Sequence, residues 1–310
     1  MHSRPVLPHS VTIRDVGPRD GLQPEAPVPV ERRIELVESL IAAGVSRIEA
    51  VAFVSPKAVP AMAGAAEVLD GITRSEAVTI AALVPNLRGA EMALESEVDE
   101  LTVTLSFSET YNQRNVKMSV AESESAIADI VRSAAAAGVP VDAVVSCSFG
   151  SPYEGDADPA EVVALAQRLL DGGTTTVTYA DTTGMATPRR IHDLADALDS
   201  AGLLGPSTGL HLHDTRGTAL ANAFTALERG ISRFDTAVGG LGGSPFAHGA
   251  GGNLATEVLV AALDDAGVST GIEIERLVDA ALLVEELVGR PVPSGVAHQG
   301  PRTRRSAPQG

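Results

Sequence analysis

Apolar residues along this chain follow two alternating patterns. Short runs rich in β-branched and other apolar residues recur eight times, each followed by a loop and a longer segment. The runs are Val11–Gly17, Arg47–Phe53, Val78–Val84, Glu100–Ser106, Val141–Ser148, Thr175–Asp181, Thr208–His213 and Arg233–Gly239. We expect each run to form a strand.

Several of the intervening segments carry the three-to-four-residue spacing of apolar positions that is typical of amphipathic helices. The clearest are Glu31–Ala43, Ala121–Ala137, Pro159–Leu170, Pro188–Ala201 and Leu220–Arg229. A strand–loop–helix unit of about 25–35 residues, repeated eight times, predicts a (β/α)8 TIM barrel. A doubly wound open sheet is the competing fold, but no Gly-x-Gly-x-x-Gly motif follows the first strand.

The length of the chain matches a single barrel domain with short additions at both ends. We expect the barrel to span 11–290 and to finish in a short C-terminal helical extension. Residues 1–10 are predicted to be a flexible N-terminus, and the polar residues 291–310 a disordered tail.

Composition narrows the possible partners. The chain has 23 basic and 40 acidic residues and a net charge of -17, which argues against a general surface for nucleic acid or anionic membranes. A few local cations or a metal can still hold an anionic substrate within a cleft. The single cysteine, Cys147, rules out an intramolecular disulfide and favours a reducing, cytoplasmic compartment. The sequence shows neither a secretory signal nor an apolar run of ~18 residues.

The most informative polar residues lie in the seventh predicted strand. His211 and His213 are two positions apart, so they project to the same side of a strand, and Asp214 follows them. Two imidazoles directed at one point suit a divalent metal, or one metal ligand beside one acid or base. Two polar residues that cap a strand are the competing interpretation.

Polar residues at other strand ends favour the metal site. Function in a barrel of this kind lies at the carboxyl ends of the strands. Asp20 follows the first strand and Asn253 follows the eighth. Together with the two histidines, they give oxygen and nitrogen donors with one carboxylate and no thiolate, which favours Mg²⁺ or Mn²⁺. Each residue alone would more often be structural, as a helix cap or a turn former.

Two further features belong to the same barrel face. Arg19 always carries its charge and can stabilise a developing enolate or carboxylate oxygen. A salt bridge with Glu49 or Asp181 is compatible with that role, because a carboxylate would hold the guanidinium in place. The segment Gly239–Asn253 has seven glycines in fifteen residues and is predicted to be a mobile lid, with a plain flexible loop as the alternative.

The motifs at these strand ends, taken together, resemble those of the 3-hydroxy-3-methylglutaryl-CoA lyase family. They are Val16-Gly-Pro-Arg-Asp-Gly-Leu-Gln23, Ile48-Glu, Phe53-Val-Ser-Pro-Lys57, Ser151-Pro-Tyr-Glu-Gly155, Asp181-Thr, His211-Leu-His-Asp-Thr215, Gly240-Leu-Gly-Gly243 and Gly252-Asn-Leu-Ala-Thr-Glu257. The match runs in family order from Val11 to about residue 290. Leu22 distinguishes the first motif from the Arg-Asp-Gly-Glu-Gln of related isopropylmalate and homocitrate synthases.

The resemblance implies retro-Claisen cleavage of a 3-hydroxyacyl-CoA into acetyl-CoA and a keto acid, with 3-hydroxy-3-methylglutaryl-CoA as the expected substrate. It implies Mg²⁺ or Mn²⁺ and no organic cofactor. By position, the metal ligands would be Asp20, His211, His213 and Asn253. Asp20 and His211 would remove the hydroxyl proton, Arg19 would neutralise the enolate, and Glu49 would orient Arg19.

Two positions depart from the family pattern. The family's glycine loop has a cysteine, proposed to protonate the enolate, where this chain has Ser244. A hydroxyl is a far weaker acid than a thiol of pKa ~8.5, so Ser244 cannot donate a proton with the same ease. Either water or another group, such as His248, protonates the enolate, or Ser244 only orients a donor, or the substrate differs. Val144 stands where these lyases often carry tyrosine. The smaller valine enlarges the pocket and removes a hydroxyl. Citramalyl-CoA or another branched 3-hydroxydicarboxylyl-CoA is therefore an alternative substrate.

The sequence also suggests how the protein binds CoA and assembles. Lys57 and Asn86 follow strands two and three and are candidates for binding the phosphates or pantetheine of CoA, with surface capping as the alternative. The resemblance implies a homodimer, and no nucleic-acid or membrane partner is expected. Two other functions stay open: an acetyl-CoA-dependent condensing enzyme, and a non-catalytic barrel that binds acyl-CoA.

Overall fold

The computed structural model describes residues 7–243 and 251–304, and its central element is a closed barrel of eight parallel strands. The strands are β1 (Thr12–Asp15), β2 (Arg47–Ala52), β3 (Thr79–Leu83), β4 (Glu100–Ser106), β5 (Val141–Ser146), β6 (Thr176–Ala180), β7 (Thr208–His211) and β8 (Arg233–Thr236). Each strand pairs with the next, and β8 closes on β1. The predicted TIM barrel is confirmed.

Eleven α-helices surround or extend the barrel in the part of the chain that the structure describes. They are α1 (Val30–Ala42), α2 (Ala65–Gly71), α3 (Leu87–Glu95), α4 (Glu109–Val116), α5 (Val120–Ala137), α6 (Pro159–Asp171), α7 (Pro188–Ser200), α8 (Ala219–Glu228), α9 (Thr256–Ala266), α10 (Ile274–Val288) and α11 (Gly295–Gln299). The C-terminal extension is α10 and α11, and α10 packs against α1. Among these described helices, none is long and apolar enough to cross a membrane.

Local sequence sets the ends of these helices. At the start of α5, the Ser119 side chain accepts from the backbone N–H of Glu122, and the Glu122 carboxylate accepts from the Ser119 N–H. The helix ends at Gly138, whose φ of 73° is a left-handed conformation that glycine adopts without strain. Such caps fix where each connection turns back to the barrel.

Seven of the eight strands end one to three residues before the predicted runs, and the early ends of β1 and β7 affect predicted site residues. β1 stops at Asp15, because the chain enters a π-helical turn, Gly17–Gly21. β7 stops at His211, so the prediction that His213 lies in the strand is wrong. His213 instead pairs with Asn253 in an isolated bridge. The two histidine rings nevertheless lie with their centroids 5.2 Å apart.

The chain ends contact the barrel more closely than predicted. Ser10 pairs with Ser269, and Leu7 packs against the core. Near the other end, Ser294 caps α11, and Val292 and Ala297 are buried. The expected flexible N-terminus and disordered tail are therefore corrected for residues 7–10 and 291–304. Residues 1–6 and 305–310 lie outside the described part of the chain.

A cluster of buried charges lies within the barrel around Arg14 of β1. Its Nε and Nη2 donate to the two carboxylate oxygens of Asp235 at 2.8 and 2.7 Å. Nη2 also donates to Asp142 at 2.8 Å, and Nη1 donates to Glu100 at 3.1 Å. All four residues are buried, so one guanidinium compensates carboxylates from three other strands.

We expect Arg14→Met to destabilise the fold by about 3–5 kcal/mol, because it leaves buried carboxylates without their cation. Arg47 contacts Glu100 but is 24 % exposed, so Arg47→Met should cost much less. Urea denaturation gives the free energy of unfolding of both variants. Equal stability of the two variants would contradict this role of Arg14.

Asp15, the last residue of β1, forms hydrogen bonds with three segments: the turn after β1, the turn after β8 and the start of α9. Its carboxylate accepts from the Gly17 N–H at 2.8 Å, from the Val238 N–H at 3.0 Å and from the Thr256 hydroxyl at 2.6 Å. A Cβ at Gly17 would lie 2.8 Å from that carboxylate, so the turn requires glycine. Burial raises the pKa of Asp15 to about 7, although the bonds from Thr256 and Gly17 oppose the shift.

The raised pKa of Asp15 predicts how stability changes with pH. Asp15 binds its proton near pH 7 when folded and near pH 4 when unfolded, so the free energy of unfolding falls as pH rises between these values. Asp15→Asn should reduce the difference in unfolding free energy between about pH 5 and about pH 8. The exposed control Asp199→Asn should leave that difference unchanged. An unchanged difference in Asp15→Asn would rule out this titration.

Candidate metal centre and active site

Three predicted ligands meet at the carboxyl end of the barrel. Donor atoms of Asp20, His211 and His213 all lie within 4.8 Å of one another. The two Nε2 atoms of the histidines are 3.2 Å apart, and Nε2 of His211 is 3.9 Å from Oδ2 of Asp20. Ligands about 2.1 Å from one octahedral ion lie roughly 3 Å apart when adjacent. The spacing of the imidazole nitrogens suits adjacent positions on one cation.

Asn253 lies beside this group and offers a fourth donor. Its Nδ2 donates to Oδ2 of Asp20 at 2.7 Å and to the Leu241 carbonyl at 2.9 Å. Its Oδ1 is buried and finds no hydrogen-bond donor among the described residues. A buried acceptor without a donor is costly unless a cation or water satisfies it. The four side chains therefore fit a divalent cation with oxygen and nitrogen ligands.

Glycines let the last loop approach these side chains. Gly242 has a φ of 105°, and a Cβ there would lie 2.4 Å from Nδ2 of Asn253 and 3.1 Å from the Asp20 carboxylate. A Cβ at Gly252 would lie 2.0 Å from the Gly240 carbonyl oxygen. At these positions the glycines serve close packing. The rest of the predicted lid, residues 244–250, lies outside the described residues.

Hydrogen bonds to Nδ1 orient both histidines. Nδ1 of His213 lies 2.9 Å from the Gly251 carbonyl oxygen, and Nδ1 of His211 lies 3.3 Å from Oδ2 of Asp235. Both partners accept, so a proton on each Nδ1 would satisfy them and leave each Nε2 for a cation. Burial alone would lower the pKa of His211, but its hydrogen bond with Asp235 and the charge of Asp20 raise it. Burial, together with the charge of His211, lowers the pKa of His213 to about 4, which keeps it neutral near pH 7.

Arg19 lies in the π-helical turn, where such turns often accompany functional sites. Its Nε donates to Glu49, and its Nη1 donates to Oδ1 of Asp20 at 2.6 Å. Of the two open partners, the structure pairs Arg19 with Glu49, while Asp181 accepts from the Ala186 N–H at 2.8 Å. Burial alone would raise the pKa of Asp20, but the charge of Arg19, and those of the two histidines once they are protonated, lower it below its usual value.

A cavity of about 240 Å³ opens beside these groups. Its polar side includes Arg19, Asp20, Gln23, His211 and His213. Its apolar side is lined by Val54, Val59, Leu83, Pro85, Tyr111, Val116 and Val144. A mostly apolar wall with a few converging charged groups is typical of a small-molecule site.

The candidate CoA contacts lie elsewhere. Lys57 is exposed in the turn after β2. Asn86 caps α3 by accepting from the Gly89 N–H at 2.9 Å, and it lines a second cavity of about 360 Å³ with Arg88. Val54 lines both cavities, so they adjoin. Ser244, the candidate acid, and His248 fall in the segment outside the described residues.

The sequence patterns missed several residues near the centre. Asp235 contacts His211, Glu257 accepts from the Gly239 N–H at 3.1 Å, and Asn115 of α4 lines the cavity. A charged residue inside an apolar strand, as in Arg-Phe-Asp-Thr of β8, was an available signal for Asp235. Asn115 lies on α4, in the long connection between β4 and α5. The spacing of apolar residues does not predict where this connection lies relative to the barrel.

Comparison with known proteins agrees with this geometry. The HMGL-like family model matches residues 10–284. A hydroxymethylglutaryl-CoA lyase of Bacillus subtilis, YngG, is 43% identical over 288 residues, covering 93% of this chain and 96% of that protein. The 3-hydroxy-3-isohexenylglutaryl-CoA/hydroxymethylglutaryl-CoA lyase of Pseudomonas aeruginosa is 43% identical over 289 residues, covering 92% and 95%.

Solved structures show the same likeness. An HMG-CoA lyase from Acinetobacter baumannii, in complex with coenzyme A and 3-methylmalate, superimposes with a TM-score of 0.91 at 39% identity. The match covers 96% of this chain and 98% of that one. With its barrel, its strand-end motifs and relatives of this identity and coverage, the chain belongs to the HMGL-like family.

Proposed function

We propose that this protein is a carbon–carbon lyase that cleaves 3-hydroxy-3-methylglutaryl-CoA to acetyl-CoA and acetoacetate. The observation that carries the proposal is the convergence of Asp20, His211 and His213 with the guanidinium of Arg19 on one cavity. Relatives named as hydroxymethylglutaryl-CoA lyases support the reaction, and a similar structure with bound coenzyme A supports an acyl-CoA substrate.

The donor set supports a divalent cation, and we propose Mg²⁺ or Mn²⁺ with no organic cofactor. The ligands would be Asp20, His211, His213 and Asn253. Carboxylate and carbonyl oxygens suit these hard cations, and no thiolate is within the set. When bound, the cation would act as a Lewis acid that lowers the pKa of the substrate hydroxyl.

The residues divide the remaining chemistry between them. Asp20 would accept the proton of the C3 hydroxyl, and His211 would hold the cation that lowers the pKa of that hydroxyl. A carbonyl then forms at C3 and the C2–C3 bond breaks. The electron pair of that bond passes to the thioester as the enolate of acetyl-CoA. Arg19, whose other donors are held by Glu49 and Asp20, would stabilise the enolate oxygen.

The enolate then needs a proton at C2. Ser244 is retained as a candidate for the donor or for a group that orients it, with His248 as the other loop candidate. A serine hydroxyl donates a proton much less readily than a thiol, so the donor in this chain differs in acidity from a cysteine.

A second substrate is favoured by one observation. Val144 lies on the apolar wall of the cavity, where it supplies neither a hydroxyl nor the bulk of a tyrosine. A wall of this kind accommodates other branched 3-hydroxydicarboxylyl groups, such as that of citramalyl-CoA. Substrate comparison is therefore part of the first test.

Binding of CoA and assembly are further parts of the proposal. Lys57 and Asn86 remain the candidates for the CoA phosphates and pantetheine, supported by the cavity that Asn86 lines next to the active cavity. A homodimer is the assembly that the family resemblance favours. The lone cysteine, Cys147, supports a reducing, cytoplasmic setting.

Release of acetyl-CoA tests the proposed reaction. We expect rapid cleavage of 3-hydroxy-3-methylglutaryl-CoA that requires Mg²⁺ or Mn²⁺ and is lost in His213→Ala, because a ligand is removed. Both citramalyl-CoA enantiomers are measured alongside. Cleavage of citramalyl-CoA alone would select the second substrate. Consumption of acetyl-CoA with a 2-keto acid, or binding without release, would instead support a condensing enzyme or a non-catalytic barrel.

Replacement of Arg19 tests its role on the enolate. Arg19→Lys keeps the charge but loses the planar fork that contacts Glu49 and Asp20, so kcat should fall about 100- to 1,000-fold. The matched control is Arg190→Lys, whose arginine contacts the Ala157 carbonyl away from the cavity. Steady-state kinetics at saturating metal measures both. A kcat near that of the wild-type protein in Arg19→Lys would remove the role.

A further inference from the structure

Three inward-facing residues lie side by side inside the barrel. In the strand register, Asp235 of β8 pairs with His211 of β7 on one side and with Arg14 of β1 on the other. All three are buried. Asp235 therefore stands between the charge cluster inside the barrel and one of the proposed metal ligands.

Asp235 contacts Arg14 on one side and His211 on the other. Arg14 donates to both of its carboxylate oxygens, at 2.8 and 2.7 Å. Its Oδ2 also lies 3.3 Å from Nδ1 of His211. A carboxylate held at both oxygens by a planar guanidinium has little freedom to rotate. Its orientation toward His211 is therefore fixed by the barrel and not by the loops.

We propose that Asp235 is a positioning residue for the metal centre: held by Arg14, it accepts the Nδ1–H of His211 and leaves Nε2 available to the cation. The inference rests on the proposed metal site. An acceptor-only group at Nδ1 selects one tautomer, fixes the ring plane and increases the basicity of the coordinating nitrogen. His213 is held differently, by a backbone carbonyl of the last loop.

Asp142 offers a matched control within the same cluster. It too is a buried carboxylate that accepts from Nη2 of Arg14, at 2.8 Å. Its other partners are the hydroxyls of Thr176 and Thr178, and not a histidine. Asp142→Asn and Asp235→Asn therefore remove the same charge next to the same arginine, and only Asp235→Asn changes the partner of His211.

Binding of Mn²⁺ to the metal-free protein, followed by the electron paramagnetic resonance of free Mn²⁺, separates the two carboxylates. We expect the dissociation constant to rise about 10- to 100-fold in Asp235→Asn. In Asp142→Asn it should change about twofold or less, on the scale of contacts outside the ligand network. Equal affinity loss in both variants, or no loss in Asp235→Asn, would make Asp235 only a member of the ion cluster. Absence of Mn²⁺ binding in the wild-type protein would overturn this inference together with the proposed metal site.

A second measurement tests the inference even if Asp235→Asn does not fold, because it uses the wild-type protein. The ¹⁵N spectrum of histidine-labelled, metal-free wild-type protein reports the tautomer of His211, assigned by its loss in His211→Asn. The inference requires the proton on Nδ1. The spectrum is therefore recorded at alkaline pH, where the ring is neutral. A neutral ring with its proton on Nε2 would overturn the inference, whatever the stability of Asp235→Asn, and would leave wild-type Mn²⁺ binding as the separate test of the metal site.

Discussion

The structure depends on the pairing of charges that the barrel encloses. Water cannot solvate charges inside the closed sheet, so each carboxylate there needs a cation or donors supplied by another strand. Arg14 meets that requirement for Asp235, Asp142 and Glu100 at once. The same pairing directs Asp235 toward His211, which links the interior of the barrel to the site at its carboxyl end.

Much of the fold followed from patterns that are local in the chain. Eight apolar runs, helical spacing between them and glycines after helices were sufficient for the barrel, because parallel strands with crossover helices repeat one unit. The convergence of Asp20, His211, His213 and Asn253 was also predictable, since a barrel brings all carboxyl ends to one face.

Other features depend on contacts between residues far apart in sequence. The pairing of Arg14 with Asp235 spans 221 positions and requires the register of β1 against β8. The early end of β7 follows from the bridge between His213 and Asn253, which belongs to a different loop. The C-terminal segment is polar in composition, yet it forms α11 because Val292 and Ala297 are buried against apolar residues elsewhere in the fold. The composition of the segment alone does not predict this packing.

In the proposed metal site, one cation joins these side chains beside the cavity. The most direct measurement is anomalous diffraction at the manganese edge from crystals grown with Mn²⁺. We expect a peak about 2.1 Å from Nε2 of His211, Nε2 of His213, a carboxylate oxygen of Asp20 and Oδ1 of Asn253. Manganese bound elsewhere, with these four atoms coordinated to nothing, would contradict it.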